Sequence, residues 1–407
     1  MLACHGFIIG AKRLYNLLKG SDEVFDSWHR LSRKNKIFLV KFVLAIFLFY
    51  STITYLSASI MYKDMNNSRI RHAGKLREAG VDLAKAAMAN SEGEAKWWAK
   101  DYAVQLSETG DFVNVKVGTY IDDIETLSVK ESYWTTHFYI WFTWQGDKTL
   151  DPGGKMFLVD GTIYKKDLLE EYHGTDGMNY QRYRVSARII KFFDTTRVPI
   201  EDHMLNIYVE DSLRDGGKIH YVADTINISP RVQIPGFKIT KSANVVQAHS
   251  YNSSYGDPRI TDGSGKIFSQ YLAAMRISRT DFGFYTEIFL SLFAAILLAL
   301  FSFFIRPSDI GPRLALPTGA YFGAVANSYV ANGVLPPSAG EFGLVDHIAG
   351  IGLFTIALTI CLSLTSYHFY VRKDEKDLAV AIDRAMFIAV GISCIFANII
   401  IPFCARG

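Results

Sequence analysis

Residues 313–336, RLALPTGAYFGAVANSYVANGVLP, constrain the fold of this chain more than any other stretch. A helix crosses a bilayer in about 20 residues, so the stretch is long enough. Yet it is only partly apolar. At helical spacing Thr318, Tyr321, Ser328 and Asn332 fall on one side, and Ala315, Gly319, Phe322, Ala326, Tyr329 and Gly333 fall on another. Lipid does not tolerate exposed amide and hydroxyl groups, so these side chains need protein or water beside them. The small residues permit close helix approach. Two readings follow. One is a buried packing helix in a bundle; the other is a pore-lining helix with one face on water.

The rest of the chain narrows the choice. Apolar residues make up 49% of the 407, and they are clustered rather than spread. One run covers residues 37–61, and four more cover 284–305, 313–334, 347–371 and 385–403. The basic residues Arg30, Arg33, Lys34 and Lys36 precede the first run, which places the N-terminus in the cytoplasm. That run is too long for a signal peptide and reads as an uncleaved anchor. Residues 1–36 form a cytoplasmic segment, solvated or lying on the membrane as an amphipathic helix. RPSDIGPR and RKDEKDLAVAIDR carry basic residues at the membrane edge and VLPPSAGEFGLVD carries none, so the first two linkers are cytoplasmic and the third is outside. A plasma (inner) membrane protein with a periplasmic or extracellular middle is expected.

Residues 62–110 are Ala-rich and polar and read as a helical stalk. From Asp111 the hydrophobic period changes to two. FVNVKVGTYIDDIETL, YWTTHFYIWFTW, KMFLVDGTI, RYRVSARIIKFF, HMLNIYVED, KIHYVADTINI, FKITKSANVVQAHS and KIFSQYLAAMRIS read as strands, with Gly, Pro, Asp and Asn turns between them. Strands in this number without intervening helices imply an all-β sandwich over residues 111–283. A four-helix membrane domain over 284–407 follows.

Net charge is only +3, so charge makes no case for nucleic acid. The cysteines are Cys4, Cys361, Cys394 and Cys404, all near or inside apolar segments, so the middle domain is not stapled by disulfides. No Cys/His cluster has metal-ligand spacing, and no nucleotide or nucleophile-elbow motif is present. Neither an enzyme nor a bound cofactor or metal is expected.

Several local stretches resemble the pentameric ligand-gated (Cys-loop-type) ion channels, most closely their prokaryotic branch. KVGTYIDDIETLSVKESYWTTHFYIWFTW is similar to that family's first two strands, ending at its Trp, here Trp144. VSARIIKFFDTTRVPIEDHML resembles its signature loop, with Val198, Pro199, Ile200 and Glu201 at the Phe-Pro-Phe-Asp positions and no flanking cysteines. MRISRTDFGFY resembles the run into the first channel helix, with Arg279 as the junction arginine, and Leu335-Pro336 matches the pair after the pore helix. The resemblance covers residues 111–407. Ser291 stands where the family has proline, Pro317 interrupts the second helix, and Asp309 is the candidate for the acidic residue below the pore. The 37–61 anchor and the stalk are additions to the family plan.

The resemblance implies an immunoglobulin-like ectodomain, a homo-oligomer of five subunits in membrane lipid, and opening by a small-molecule or proton ligand. In the family register the pore stripe is Ala315, Gly319, Phe322, Ala326 and Tyr329, with Phe322 as the dewetting constriction and Tyr321 as the alternative. Tyr139, Trp141, His220, Tyr221, Tyr251 and Tyr255 are the implied ligand aromatics, able to hold a cation on their ring faces. Tyr139 and Trp141 share one strand face, which is either the core or the subunit interface. Glu131, Pro199, Glu201, Arg279, Leu335 and Pro336 are the implied coupling residues, with Lys130 beside Glu131. An Arg279–Glu201 pair is expected, and Arg276 is expected to matter less. A non-conducting sensor or scaffold on the same fold is the alternative function.

Overall fold

A computed structural model describes residues 28–76, 111–251, 253, 266–280, 283–334 and 342–406. Nine strands build two sheets. They are β1 (Val113–Ser128), β2 (Tyr133–Gln145), β3 (Met156–Leu158), β4 (Gly161–His173) and β5 (Met178–Ile190), then β6 (Asp202–Asp211), β7 (Ile219–Ile228), β8 (Phe237–Ser250) and β9 (Ile267–Arg279). One sheet runs β4-β5-β2-β1-β7 and the other β3-β6-β9-β8. All pairings are antiparallel except β1 with β7.

The alternation in β2 explains the layering. Trp134, Phe138, Ile140, Phe142 and Trp144 point inward and are buried, while Tyr133, Tyr139 and Trp141 are half-buried on the other face. The inward set meets Leu205, Ile207 and Val209 of β6 and Tyr271, Ala273, Met275 and Ile277 of β9 in one apolar cluster. Tyr139 and Trp141 therefore lie outside the sandwich core.

The stretch expected as a single strand, KMFLVDGTI, divides into β3 and the start of β4. β4 then runs on through KKDLLEEYH, which carries no alternating pattern. It is an edge strand with Tyr164, Leu168, Leu169 and Tyr172 exposed. With neither face fully buried, no period of two is required, and the charges protect the open edge.

Five long helices follow the membrane segments. They are α1 (Arg33–Leu76), α2 (Gly283–Leu300, extended by a tighter turn Phe301–Phe304), α3 (Ile310–Val334), α4 (Leu344–Tyr367, extended by a wider turn His368–Arg372) and α5 (Lys376–Arg406). Four are long and apolar enough to cross a membrane: Arg33–Ser68, Gly283–Phe304, Leu344–Arg372 and Lys376–Arg406. The 25-residue α3 is long enough but is not among them. Phe289 and Leu292 of α2, Ala320, Ala324 and Ala331 of α3, Ile348 and Ile356 of α4, and Ile382, Met386 and Val390 of α5 share one core.

α1 runs through residue 61, the expected end of the anchor, into the expected helical stalk. Its 44 residues form one helix of about 66 Å, roughly twice the hydrocarbon thickness. Tyr50, Thr54, Ser57, Ala58, Met61, Met65 and Ser68 make a buried seam at three- and four-residue spacing. Leu44, Leu48, Tyr55, Leu56, Ile60 and Tyr62 are exposed. Large apolar groups on the outer side suit a helix facing lipid, and Thr54, Ser57, Ala58 and Ser68 let the seam pack closely. α1 packs along α5 and reaches α4, where Tyr50 Oη and Thr355 Oγ1 share a buried 2.8 Å hydrogen bond. The stalk residues 77–110 lie outside the described residues.

Candidate functional site

α3 has two unlike faces. Arg313, Pro317, Ala320, Ala324, Asn327 and Ala331 are buried against the bundle. Alanine at the contact lets α2 approach closely; a Cβ on Gly323 would lie 3.5 Å from that of Ala295. Ser291 donates to Asn327 Oδ1 at 2.5 Å. The opposite face carries Ala315, Gly319, Phe322, Ala326 and Tyr329, all exposed in the single chain. Phe322 is 68% and Tyr329 76% exposed, against 47% for Tyr321, so Phe322 projects further from the bundle.

The charge in α3 turns inward. Arg313 is fully buried, with Nη1 donating to Asp383 Oδ2 at 2.8 Å and Nη2 to Asp383 Oδ1. This two-pronged pair ties the lower end of α3 to α5. The exposed face therefore carries no charge between Gly311 and Gly333 among the described residues, and Arg306 and Asp309 are exposed below it.

The ligand candidates divide between the two sheets. Trp141 Nε1 donates to Asp224 at 2.9 Å, and its indole lies across Gly118, where any Cβ would collide with the ring. Tyr139 meets Tyr120 at 6.1 Å between ring centres and carries the Arg184 guanidinium 5.8 Å over its face. His220 is stacked on Phe112 at 3.7 Å with Nε2 2.6 Å from the Gly216 carbonyl. Tyr221 corrects the expected set. It is 3% exposed and packed in the sandwich core, where burial pushes its hydroxyl pKa far upward. Its inward position follows from strand parity, which places His220 and Tyr221 on opposite faces.

Tyr251 belongs to the other sheet. Its hydroxyl donates to Glu210 Oε2 at 2.9 Å, and Glu210 is fully buried. Gln270 Nε2 donates to Glu210 Oε1 at 2.6 Å, and His249 Nδ1 lies 2.6 Å from the same oxygen. Tyr255 lies outside the described residues. Within one chain the Tyr139–Trp141 face and the Tyr251–Glu210 cluster do not meet.

At the junction of sandwich and helices, Arg279 Nε donates to Glu201 Oε1 at 3.0 Å, the expected pair. The guanidinium is held between Phe237 at 4.0 Å and Phe284 at 4.3 Å. Burial opposes ionisation of Glu201, but His203 and the Arg279 charge outweigh it, so the carboxyl sits below the usual range. His203 Nε2 is 3.9 Å from Glu201 Oε1, beyond hydrogen-bond distance. Pro199 is buried, while its expected neighbours Leu335 and Pro336 lie outside the described residues. The contacts seen are Leu344 N donating to Thr196 O at 2.7 Å and Lys130 Nζ donating to Gly333 O at 3.0 Å. Glu131 is exposed.

Arg276, expected to matter less, is also paired but more exposed than Arg279. Its Nε and Nη2 lie 2.9 and 2.7 Å from Asp202 Oδ2, in a second ion pair one register step from the first. Asn327, Asp383 and Asp202 escaped the sequence reading. The one available signal was Arg313 itself, since an arginine in a membrane segment requires a carboxylate. A scan against protein-family models matches no family, and a search of curated proteins finds no match.

Proposed function

We propose that this chain is a subunit of a ring-shaped, ligand-gated ion channel, with an immunoglobulin-like ectodomain outside the membrane and a pore lined by α3. One observation carries the reading. α3 is long enough to span but less apolar than the four spanning helices, and it is buried on one side and bare on the other along Ala315, Gly319, Phe322, Ala326 and Tyr329. A ring of subunits sets such a face against identical neighbours and a central path. Five is the number implied by the family the sequence resembles. Phe322 forms the apolar constriction.

The split between Tyr139–Trp141 and Tyr251–Glu210 fits the same assembly. A head-to-tail ring sets one face of each subunit against the other face of its neighbour, so the two half-sites meet only between chains. The ligand is a small cation or a proton: the half-sites offer ring faces and the Glu210–His249 pair. A non-conducting sensor is the second reading, favoured by the absence of charge on the exposed face of α3. Mass measurement in mild detergent tests the assembly. A pentamer is expected, and a monomer or dimer would overturn the ring.

A further inference from the structure

The loop between β5 and β6 carries an arginine that neither pore nor ligand site uses. Arg197 is 3% exposed. Its Nη2 donates to Asp202 Oδ1 and, at 3.0 Å, to Ser68 Oγ; its Nη1 donates to the Ala405 carbonyl at 3.5 Å. These acceptors belong to β6, α1 and α5. Asp202 is 8% exposed and also holds Arg276 of β9 through its other oxygen. One carboxylate thus serves two guanidinium groups, and the surplus positive charge needs further acceptors where water has little access. Ser68 and the Ala405 carbonyl supply them. Ser68 lies on the buried α1 seam. The same short loop carries Glu201, held by Arg279, and Thr196, whose carbonyl takes the first amide of α4.

We propose that α1 is a working part of this junction, and that Arg197 is the positioning residue that ties loop 193–201 to the outer ends of α1 and α5. The loop, α1 and α5 then shift as one unit. The consequence for gating rests on the channel reading; the clamp does not. Asn35 Nδ2, donating to Glu375 Oε2 at 2.8 Å, holds the opposite end of α1 to the segment before α5. With Tyr50–Thr355 between them, α1 is fixed to the bundle at two heights and to the sandwich loop at a third.

Hydrogen exchange of the full-length protein in lipid nanodiscs tests the clamp. Ser68→Ala is expected to speed exchange of residues 194–203 and of the α1 end, 62–70, by about tenfold or more, the effect of losing a hydrogen bond to a charged group. Ser68→Thr keeps the hydroxyl and is expected to restore protection. Tyr62→Ala, on the exposed side of α1, is expected to change neither segment. Should Ser68→Ala fail to fold, Arg197→Lys keeps the charge without the fork and is expected to give the same paired acceleration. Parent-like exchange in Ser68→Ala or, in its place, in Arg197→Lys, or Ser68→Thr as fast as Ser68→Ala, overturns the clamp. Ion flux from liposomes forms the second arm, with an activation midpoint shifted about tenfold in Ser68→Ala. A parent that passes no ions while its exchange pattern follows Ser68 overturns the channel reading and leaves the clamp standing.

Discussion

Arg313 and Asp383 allow the sharpest test of how the bundle is held. The pair is buried, 0% and 2% exposed, and joined by two parallel hydrogen bonds. Arg313→Met removes the two-pronged partner of Asp383, which lies among Ile382, Met386 and their neighbours. Asp383→Leu leaves Arg313 stranded. Each single change is expected to cost about 3–5 kcal/mol. Replacing both members by apolar residues of similar volume is often neutral, so the double variant is expected within about 1–2 kcal/mol of the parent. The coupling is therefore several kcal/mol, larger than that of any exposed pair such as Lys165–Asp167. Thermal unfolding in nanodiscs reads this directly. At about 2–4 °C per kcal/mol, each single change lowers the melting temperature by roughly 6–20 °C, and the double variant recovers most of it. Single changes within 2 °C of the parent, or a double variant as unstable as the sum of the singles, would refute the reasoning.

Two further outcomes are expected at the junction. Arg279→Ala strands Glu201, which is fully buried, and should cost about 3–5 kcal/mol; a cycle with Glu201→Gln should show strong non-additivity in unfolding, and additive effects would remove the pair. Glu201 has a lowered pKa, so its stabilisation is complete above the ordinary carboxylate range of about 4 and is lost only as pH falls through the depressed value. The stability gap between parent and Glu201→Gln should stay constant from about pH 7 to 5 and close below about 4; a gap that closes nearer neutrality contradicts the assignment.

Much of the architecture was legible because burial is periodic. In β2, alternate large residues from Trp134 to Trp144 fill the core, and period two follows. In α3, Ala315, Gly319, Phe322, Ala326 and Tyr329 fall on one side in both sequence and structure. β4 was illegible past Ile163 because an edge strand buries neither face fully, leaving no alternation to read. The boundary between anchor and helical stalk was read at Met61 because the composition turns polar there; the helix and its buried seam run on through Met65 to Ser68. Asp383 and Asp202 were missed for another reason. Each is an acid within a charged stretch, and only the fold shows that it faces a buried arginine.

Recording across a planar bilayer tests the central claim, that α3 lines a water-filled path closed at Phe322. Reconstituted protein is predicted to give discrete current steps. Phe322→Ser is predicted to raise the resting open probability, because a polar ring lowers the cost of wetting the constriction. Tyr321→Ser, on the less exposed neighbour, is predicted to change it less. Silence from the parent and from both variants, in protein verified as a ring, would contradict the account.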